Sequence, residues 1–261
     1  MEVVPLGTPE DVAALAADVI EGVVAADADS VLGLATGSTP LPTYRELVRR
    51  YVAGVGPSYA RVRCFNLDEY VGLEPGHPES YRATIARELT DALGIPPDRV
   101  HGPDPGPATL ATAGARYEAE IDGAGGVDVQ VLGIGTDGHL AFNEPGSSLA
   151  SLTRLKTLTE ETRRDNARFF GGVEDVPRHV LTQGLGTILR ARHLLLLATG
   201  PGKAAALAAA VEGPVTASCP ASVLQMHPHV TILADAEAAA GLARRDHYRA
   251  VYDAKPEWQG L

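Results

Sequence analysis

Val127-Asp128-Val129-Gln130-Val131-Leu132-Gly133-Ile134 runs straight into Gly135-Thr136-Asp137-Gly138-His139-Leu140-Ala141-Phe142-Asn143-Glu144-Pro145. The first part is short, predominantly apolar and rich in valine, the pattern of a strand buried on both faces. The second part breaks that run with glycines and gathers Asp137, His139 and Glu144 at the strand's end. The same arrangement recurs along the chain. Val31-Leu32-Gly33-Leu34-Ala35 ends in Thr36-Gly37-Ser38-Thr39-Pro40, and Val62-Arg63-Cys64-Phe65-Asn66-Leu67 ends at Asp68-Glu69-Tyr70. His193-Leu194-Leu195-Leu196-Leu197-Ala198 ends in Thr199-Gly200-Pro201-Gly202-Lys203, and Val230-Thr231-Ile232-Leu233-Ala234 ends at Asp235.

Helical patterns lie between these strands. Val12, Leu15, Val19, Ile20 and Val23 repeat at helical spacing, with Thr8 as the cap, Pro9 in the first position and Glu10 and Asp11 beside the positive end of the dipole. A helix begins near Tyr44, another covers residues 81–93, an alanine-rich one follows Lys203, and one over 236–245 is expected to be capped by Asp235. Continuous apolar strands alternating with helices make a parallel sheet covered on both faces. The expected fold is therefore α/β: a three-layer α/β/α sandwich with a mostly parallel, Rossmann-like sheet, formed by residues 1–261 as one domain. No linker-like stretch or fixed-period repeat divides the chain. Ligands of such sheets bind outside the carboxyl ends of the strands, where the unusual residues cluster here.

A net charge of −11 is the wrong sign for a nucleic-acid partner. It does not oppose a small anionic substrate, which a few local donors can hold. No apolar run approaches the ~20 residues a membrane span needs, and the opening residues lack the basic region of a secretory signal, so the cytoplasm is the expected location. Cys64 and Cys219, each beside apolar residues and outside any C-x-x-C pair, read as buried reduced thiols. No metal site is expected, because His227-Pro228-His229 alone supplies too few ligands.

Residues 36–40 combine a glycine, two hydroxyls and a helix start, an anion-binding arrangement. Taken alone they fit a phosphate cradle and an ordinary strand–helix turn equally. Lys203 sits on a first helical turn, where a cation opposes the dipole, so a ligand explains it better than stability does. Asp68, at a strand end, suits a general base once burial sets its pKa, although two adjacent acids also suit a solvated turn. In residues 135–145, a histidine with a carboxylate to orient it and a second acid nearby forms an acid–base relay. Gly133, Gly135 and Gly138 match dinucleotide spacing only formally, since Asn143-Glu144-Pro145 interrupts the helix that should follow. No nucleophile elbow is present. The chemistry implied is proton shuttling on a phosphorylated polyhydroxy compound.

Ala35-Thr36-Gly37-Ser38-Thr39-Pro40, Phe65-Asn66-Leu67-Asp68-Glu69-Tyr70, His77-Pro78-Glu79-Ser80-Tyr81, residues 133–145, Arg154-Leu155-Lys156-Thr157-Leu158-Thr159, Asn166-Ala167-Arg168-Phe169-Phe170 and residues 220–228 together resemble the glucosamine-6-phosphate deaminase family, in order and over nearly the whole chain. The resemblance implies conversion of D-glucosamine 6-phosphate and water to D-fructose 6-phosphate and ammonia in amino-sugar catabolism, a hydrolysis of a non-peptide carbon–nitrogen bond, with no cofactor. It implies that His139 assists ring opening, with Asp137 and Glu144 setting its charge and orientation, and that Asp68 moves the C2 proton toward C1. Gly37, Ser38, Thr39, Arg168 and Lys203 would hold the phosphate, with Gly138 and Ala141 near the sugar. Residues 154–180 match a mobile lid that carries Arg168. Regulated hexameric members bind N-acetylglucosamine 6-phosphate as an effector, and the matching positions are Ser147, Ser148, Arg154 and Lys156. These positions permit allostery without showing it, and a homo-oligomer such as a hexamer and a monomer both remain open.

Two other readings share parts of these motifs. A 6-phosphogluconolactonase has a similar Gly-x-Gly-x-Asp-Gly-His stretch but typically continues Ala-Ser-Leu-Phe-Pro, whereas Ala141-Phe142-Asn143-Glu144-Pro145 keeps a second acid. A non-catalytic sugar-phosphate sensor would keep the phosphate cradle and lose the acids, yet Asp68, Asp137, His139 and Glu144 are all present.

Overall fold

A computed structural model describes residues 1–256 and 258–261. Its main sheet holds β1 (Glu2–Pro5), β2 (Val31–Leu34), β3 (Arg63–Asn66), β5 (Val100–His101), β6 (Val129–Gly133), β9 (His193–Ala198) and β10 (Val230–Ala234). Their spatial order is β1-β10-β9-β6-β2-β3-β5, and every pairing is parallel. The apolar runs are buried from end to end, as strands covered on both faces must be. The helices around them are α1 (Pro9–Ala26), α2 (Leu41–Val52), α3 (Tyr81–Ile85), α4 (Leu110–Gly123), α5 (Glu160–Asn166), α6 (Leu185–Ile188), α7 (Ala204–Glu212) and α8 (Arg245–Asp253).

The chain leaves β2 toward β3 and β5, and leaves β6 in the opposite direction toward β9 and β10. β2 and β6 are neighbours, so the order reverses between them. That reversal opens a crevice at their carboxyl ends, flanked by residues 36–40 and 134–145. The sheet thus decides where the loops meet.

A second, three-stranded antiparallel sheet has no counterpart in the apolar periodicity. It consists of β4 (Asp68–Val71), β7 (Arg154–Thr157) and β8 (His179–Thr182). Leu67 joins the two sheets: its N–H donates to Leu34 and its carbonyl accepts from Gln183. Asp68 therefore opens a new strand instead of ending the β3 run in a loop. The strand is short and half polar, so it carries little periodic signal.

Side-chain caps start α1, α3 and α5, and two segments depart from the expected helices. Thr8 and Asp11 form a capping box on α1, with Pro9 at the first position. The helix expected over 81–93 begins at Tyr81 under a Ser80 cap, but becomes a π-turn at Ala86–Thr90. The helix expected over 236–245 does not form. A 3₁₀ turn at Ala238–Gly241 takes its place, and α8 begins only at Arg245. Gly241 packs so closely on the start of α7 that a Cβ there would lie 2.6 Å from the Ala204 carbonyl oxygen. Tertiary packing overrides the helix propensity of the alanines at that point. His227 is buried and spans the Ala191 and His229 backbone, a structural role. Among the described residues no helix is long and apolar enough to cross a membrane.

Candidate active site

A cavity of about 520 Å³ opens at the carboxyl ends of the main strands. Of the residues expected in a site, Gly37, Ser38, Thr39, Asp68, His139, Ala141, Arg168 and Lys203 all line it. They arrive from five separate chain segments, which only the strand order brings together.

Gly37, at φ 101°, turns the chain sharply after β2 so that Ser38 and Thr39 lead into α2. Lys203 reaches the cavity from the 3₁₀ turn Pro201–Lys203 that follows β9. Arg168 comes from the turn Ala167–Phe169 after α5, its guanidinium 4.8 Å from the centre of the Phe169 ring. Among the described residues neither cation makes an ion pair. Burial, and then the charge of Arg168, lower the Lys203 pKa. A half-buried lysine and an exposed arginine, neither in an ion pair among the described residues, beside two hydroxyls at a helix start, form a receptor for an anion such as phosphate.

Asp68 is 5% exposed, and no donor among the described residues hydrogen-bonds its carboxylate. Burial, followed by the charge of Glu69, raises its pKa well above that of an ordinary aspartate. Its neighbour Glu69 does a different job. Glu69 accepts from the N–H groups of Tyr70, Tyr81 and Arg82, all at 2.9 Å, and so anchors the start of α3. The adjacent acids that sequence alone could not separate are thus one unpaired carboxylate facing the cavity and one structural cap.

His139 Nδ1 lies 2.6 Å from Asp137 Oδ1, and the same oxygen accepts from the His139 N–H at 3.1 Å. Burial opposes ionisation of Asp137, but its contacts with His139 outweigh that and hold the carboxyl below its usual range. Gly135 is required here, since any Cβ would collide with the His139 ring. Ala141 is held at φ 51°, the one non-glycine residue with positive φ among those described, so strain is stored on the cavity wall. Gly138, at φ 84°, sits against Cys219, where a Cβ would be 2.7 Å from Sγ.

The relay expected of residues 135–145 is brought together only in part. Glu144 is buried, but its carboxylate accepts from the Thr159 hydroxyl at 2.9 Å, the Thr162 hydroxyl at 2.6 Å and the Thr159 N–H at 3.3 Å. Among the described residues no hydrogen bond joins it to His139. Glu144 instead ties the 135–145 loop to the start of α5, the helix that leads to Arg168. Asn143 closes the same loop by donating to Leu140 and Gln183. The effector-matched positions Ser147, Ser148, Arg154 and Lys156 do not line the cavity. Ser147 is buried with its hydroxyl unpartnered among the described residues, and burial lowers the Arg154 pKa.

Sequence reasoning missed Tyr70, Tyr81 and Asn166 as cavity residues. The Tyr81 hydroxyl donates to that of Tyr70 at 3.2 Å, and the two rings pack with Phe142 beside Asp68. Tyr70 and Tyr81 lie within the quoted motifs, but nothing local separates a cavity tyrosine from a core tyrosine.

A family model described as glucosamine-6-phosphate isomerases/6-phosphogluconolactonase matches residues 8–233. The chain belongs to this family. The glucosamine-6-phosphate deaminase of Arthrobacter sp. (strain FB24) is 61% identical over 261 residues, covering 100% of both chains. That of Streptomyces coelicolor is 57% identical over 234 residues, covering 89% of each. A solved structure described as a monomeric glucosamine-6-phosphate deaminase of the NagB superfamily matches with a TM-score of 0.89 at 39% identity, covering 92% of this chain and 100% of that one. The 6-phosphogluconolactonase of Trypanosoma brucei matches at a TM-score of 0.75 with 22% identity, which shows a shared fold alone. Within the glucosamine-6-phosphate isomerase/6-phosphogluconolactonase family, this chain's cavity combines an anion receptor, an unpaired buried carboxylate and an Asp–His pair. That set suits acid–base chemistry on a phosphorylated substrate.

Proposed function

We propose that the chain is a glucosamine-6-phosphate deaminase that converts D-glucosamine 6-phosphate and water to D-fructose 6-phosphate and ammonia. The observation that carries this reading is the Asp68 carboxylate, buried, unpaired and in one cavity with Lys203 and Arg168. A buried base with a raised pKa is matched to taking a proton from carbon near neutral pH.

In this reading Ser38, Thr39, Lys203 and Arg168 hold the phosphate. His139, oriented by Asp137, transfers a proton between O1 and the ring oxygen, so that the pyranose opens to the aldehyde. The open carbonyl acidifies the C2 proton, which Asp68 removes while O1 gains a proton, giving a C1=C2 enolamine. Asp68 returns the proton to C1, and C2 becomes an iminium carbon. Water adds at C2 and ammonia leaves, so a carbon–nitrogen bond is hydrolysed and the carbonyl ends at C2. Ala141 provides the backbone wall beside the sugar, while Gly138, which does not line the cavity, supports that loop against Cys219. Residues 154–180, which carry Arg168, act as the lid that closes over the phosphate. Glu144, bound to Thr159 and Thr162, connects that lid to the catalytic loop. An enzyme of this kind serves amino-sugar catabolism in the cytoplasm.

The direct test is ammonia release from glucosamine 6-phosphate, with hydrolysis of 6-phosphogluconolactone as the control. Ammonia release without lactonase activity is expected. Lactonase activity without ammonia, or binding without turnover, would overturn the reading. Adding N-acetylglucosamine 6-phosphate to the same assay tests whether Ser147, Ser148, Arg154 and Lys156 serve an effector.

A further inference from the structure

Thr199-Gly200-Pro201-Gly202-Lys203 has little of its own to hold it in place. A Cβ at Gly200 or Gly202 would meet nothing within 4 Å, so crowding does not define this turn. Gly200 nonetheless adopts φ 84°, and the 3₁₀ turn it opens has no side-chain cap from its own first residue. Within the turn the Ala204 N–H donates to the Pro201 carbonyl, and two further hydrogen bonds organise it. The Lys203 N–H donates to the Gly200 carbonyl at 3.2 Å, and the Gly200 N–H donates to Asp235 Oδ2 at 2.9 Å.

Asp235 stands at the end of β10, the neighbour of β9, and is 2% exposed. Its other oxygen, Oδ1, accepts from the Ala238 N–H at 2.7 Å. Among the described residues no cation forms an ion pair with it. A buried carboxylate without a cation is costly, and capping Ala238 alone would need only a serine or an asparagine. A carboxylate differs in accepting on both oxygens at once, whereas an asparagine offers a single acceptor and turns its amide against the second N–H. The charge is explained by the second bond, the one that reaches across to the Lys203 turn.

We propose that Asp235 is a positioning residue for phosphate recognition: it clamps Gly200 and thereby aims Lys203 into the cavity. This rests on the reading of the cavity as a sugar-phosphate site. Asp235 does not touch the substrate, so its effect passes through Lys203, and binding should change far more than the chemical step.

The test is calorimetric binding of glucose 6-phosphate, a hexose phosphate with no amine to lose, to the wild type, Asp235→Asn, Lys203→Ala and the double variant. Asp235→Asn is expected to weaken binding about tenfold, the loss of one hydrogen bond to a charged group. For turnover of glucosamine 6-phosphate, KM should rise similarly while kcat stays within about threefold. In the Lys203→Ala background the same change should cost less than about twofold, because the residue it aims is gone. Asp235→Ser, which keeps a cap for Ala238 but is too short for Gly200, should behave as Asp235→Asn does and serves if the latter does not fold. Unchanged binding in Asp235→Asn, or an equal loss with and without Lys203, would overturn the proposal. Failure of the wild type itself to bind glucose 6-phosphate would instead remove the sugar-phosphate reading on which the proposal stands.

Discussion

Asp68→Asn should abolish most turnover and, at the same time, make the protein more stable. The variant removes a carboxylate that is 5% exposed and accepts no hydrogen bond from the described residues. Asparagine carries no charge to desolvate, and removing that cost is worth about 1–3 kcal/mol, which raises Tm by roughly 2–12 °C in a chain of this size. The pH dependence has a definite sign. Burial and Glu69 raise the folded pKa of Asp68, so the folded state holds this proton more tightly than the unfolded state, where an aspartate titrates near ~3.9. The wild type therefore loses stability from Asp68 as pH rises from about 4 to the folded pKa, and not below. The Tm difference between variant and wild type should be absent near pH 4, grow with pH and then level off. Catalysis moves the other way: loss of the base should cost about a hundredfold to ten-thousandfold in kcat and in exchange of the C2 proton with solvent deuterium. Scanning fluorimetry across pH and NMR of the C2 position read the two effects separately. A lower Tm for the variant at pH 7 would show that Asp68 is well solvated or paired, and undiminished C2 exchange would show that another group is the base.

Three further outcomes are expected. Lys203→Ala should raise KM for glucosamine 6-phosphate roughly ten- to a hundredfold, with a much smaller penalty for unphosphorylated glucosamine; an unchanged KM would move the phosphate elsewhere. His139→Gln should slow the closed-ring substrate by about a hundredfold or more while an open-chain analogue is affected less, and equal losses for both would remove the ring-opening role. Gly33→Ala in β2 should lower stability by about 1–3 kcal/mol, because the added Cβ collides with the fully buried Gln130 side chain on β6; an unchanged Tm would mean that Gln130 can repack.

The five inner strands of the main sheet were legible because they are buried on both faces and so carry continuous apolar runs, whereas the short edge strands β1 and β5 were not expected. The strands β4, β7 and β8 were not, since β4 is half polar and β7 alternates only over four residues. Asp235 shows the same limit at a single residue. Its identity as a cap was readable, but the cap serves a 3₁₀ turn and a distant glycine instead of the expected helix. The pairing of Asp137 with His139 is local and was anticipated. The engagement of Glu144 with Thr159 and Thr162 crosses from one loop to another and was not.

Residue order alone determined the strand-end loops, the α/β layering, the family and the residue types available for proton transfer and anion binding. These depend on local pattern, which a chain displays whether or not it is folded. Tertiary structure decided which of two adjacent acids stands unpaired in the cavity, what Glu144 binds, and what holds Lys203 in place. Each of those depends on desolvation or on a hydrogen bond between segments far apart in sequence, and such relations exist only once the strands have been placed side by side.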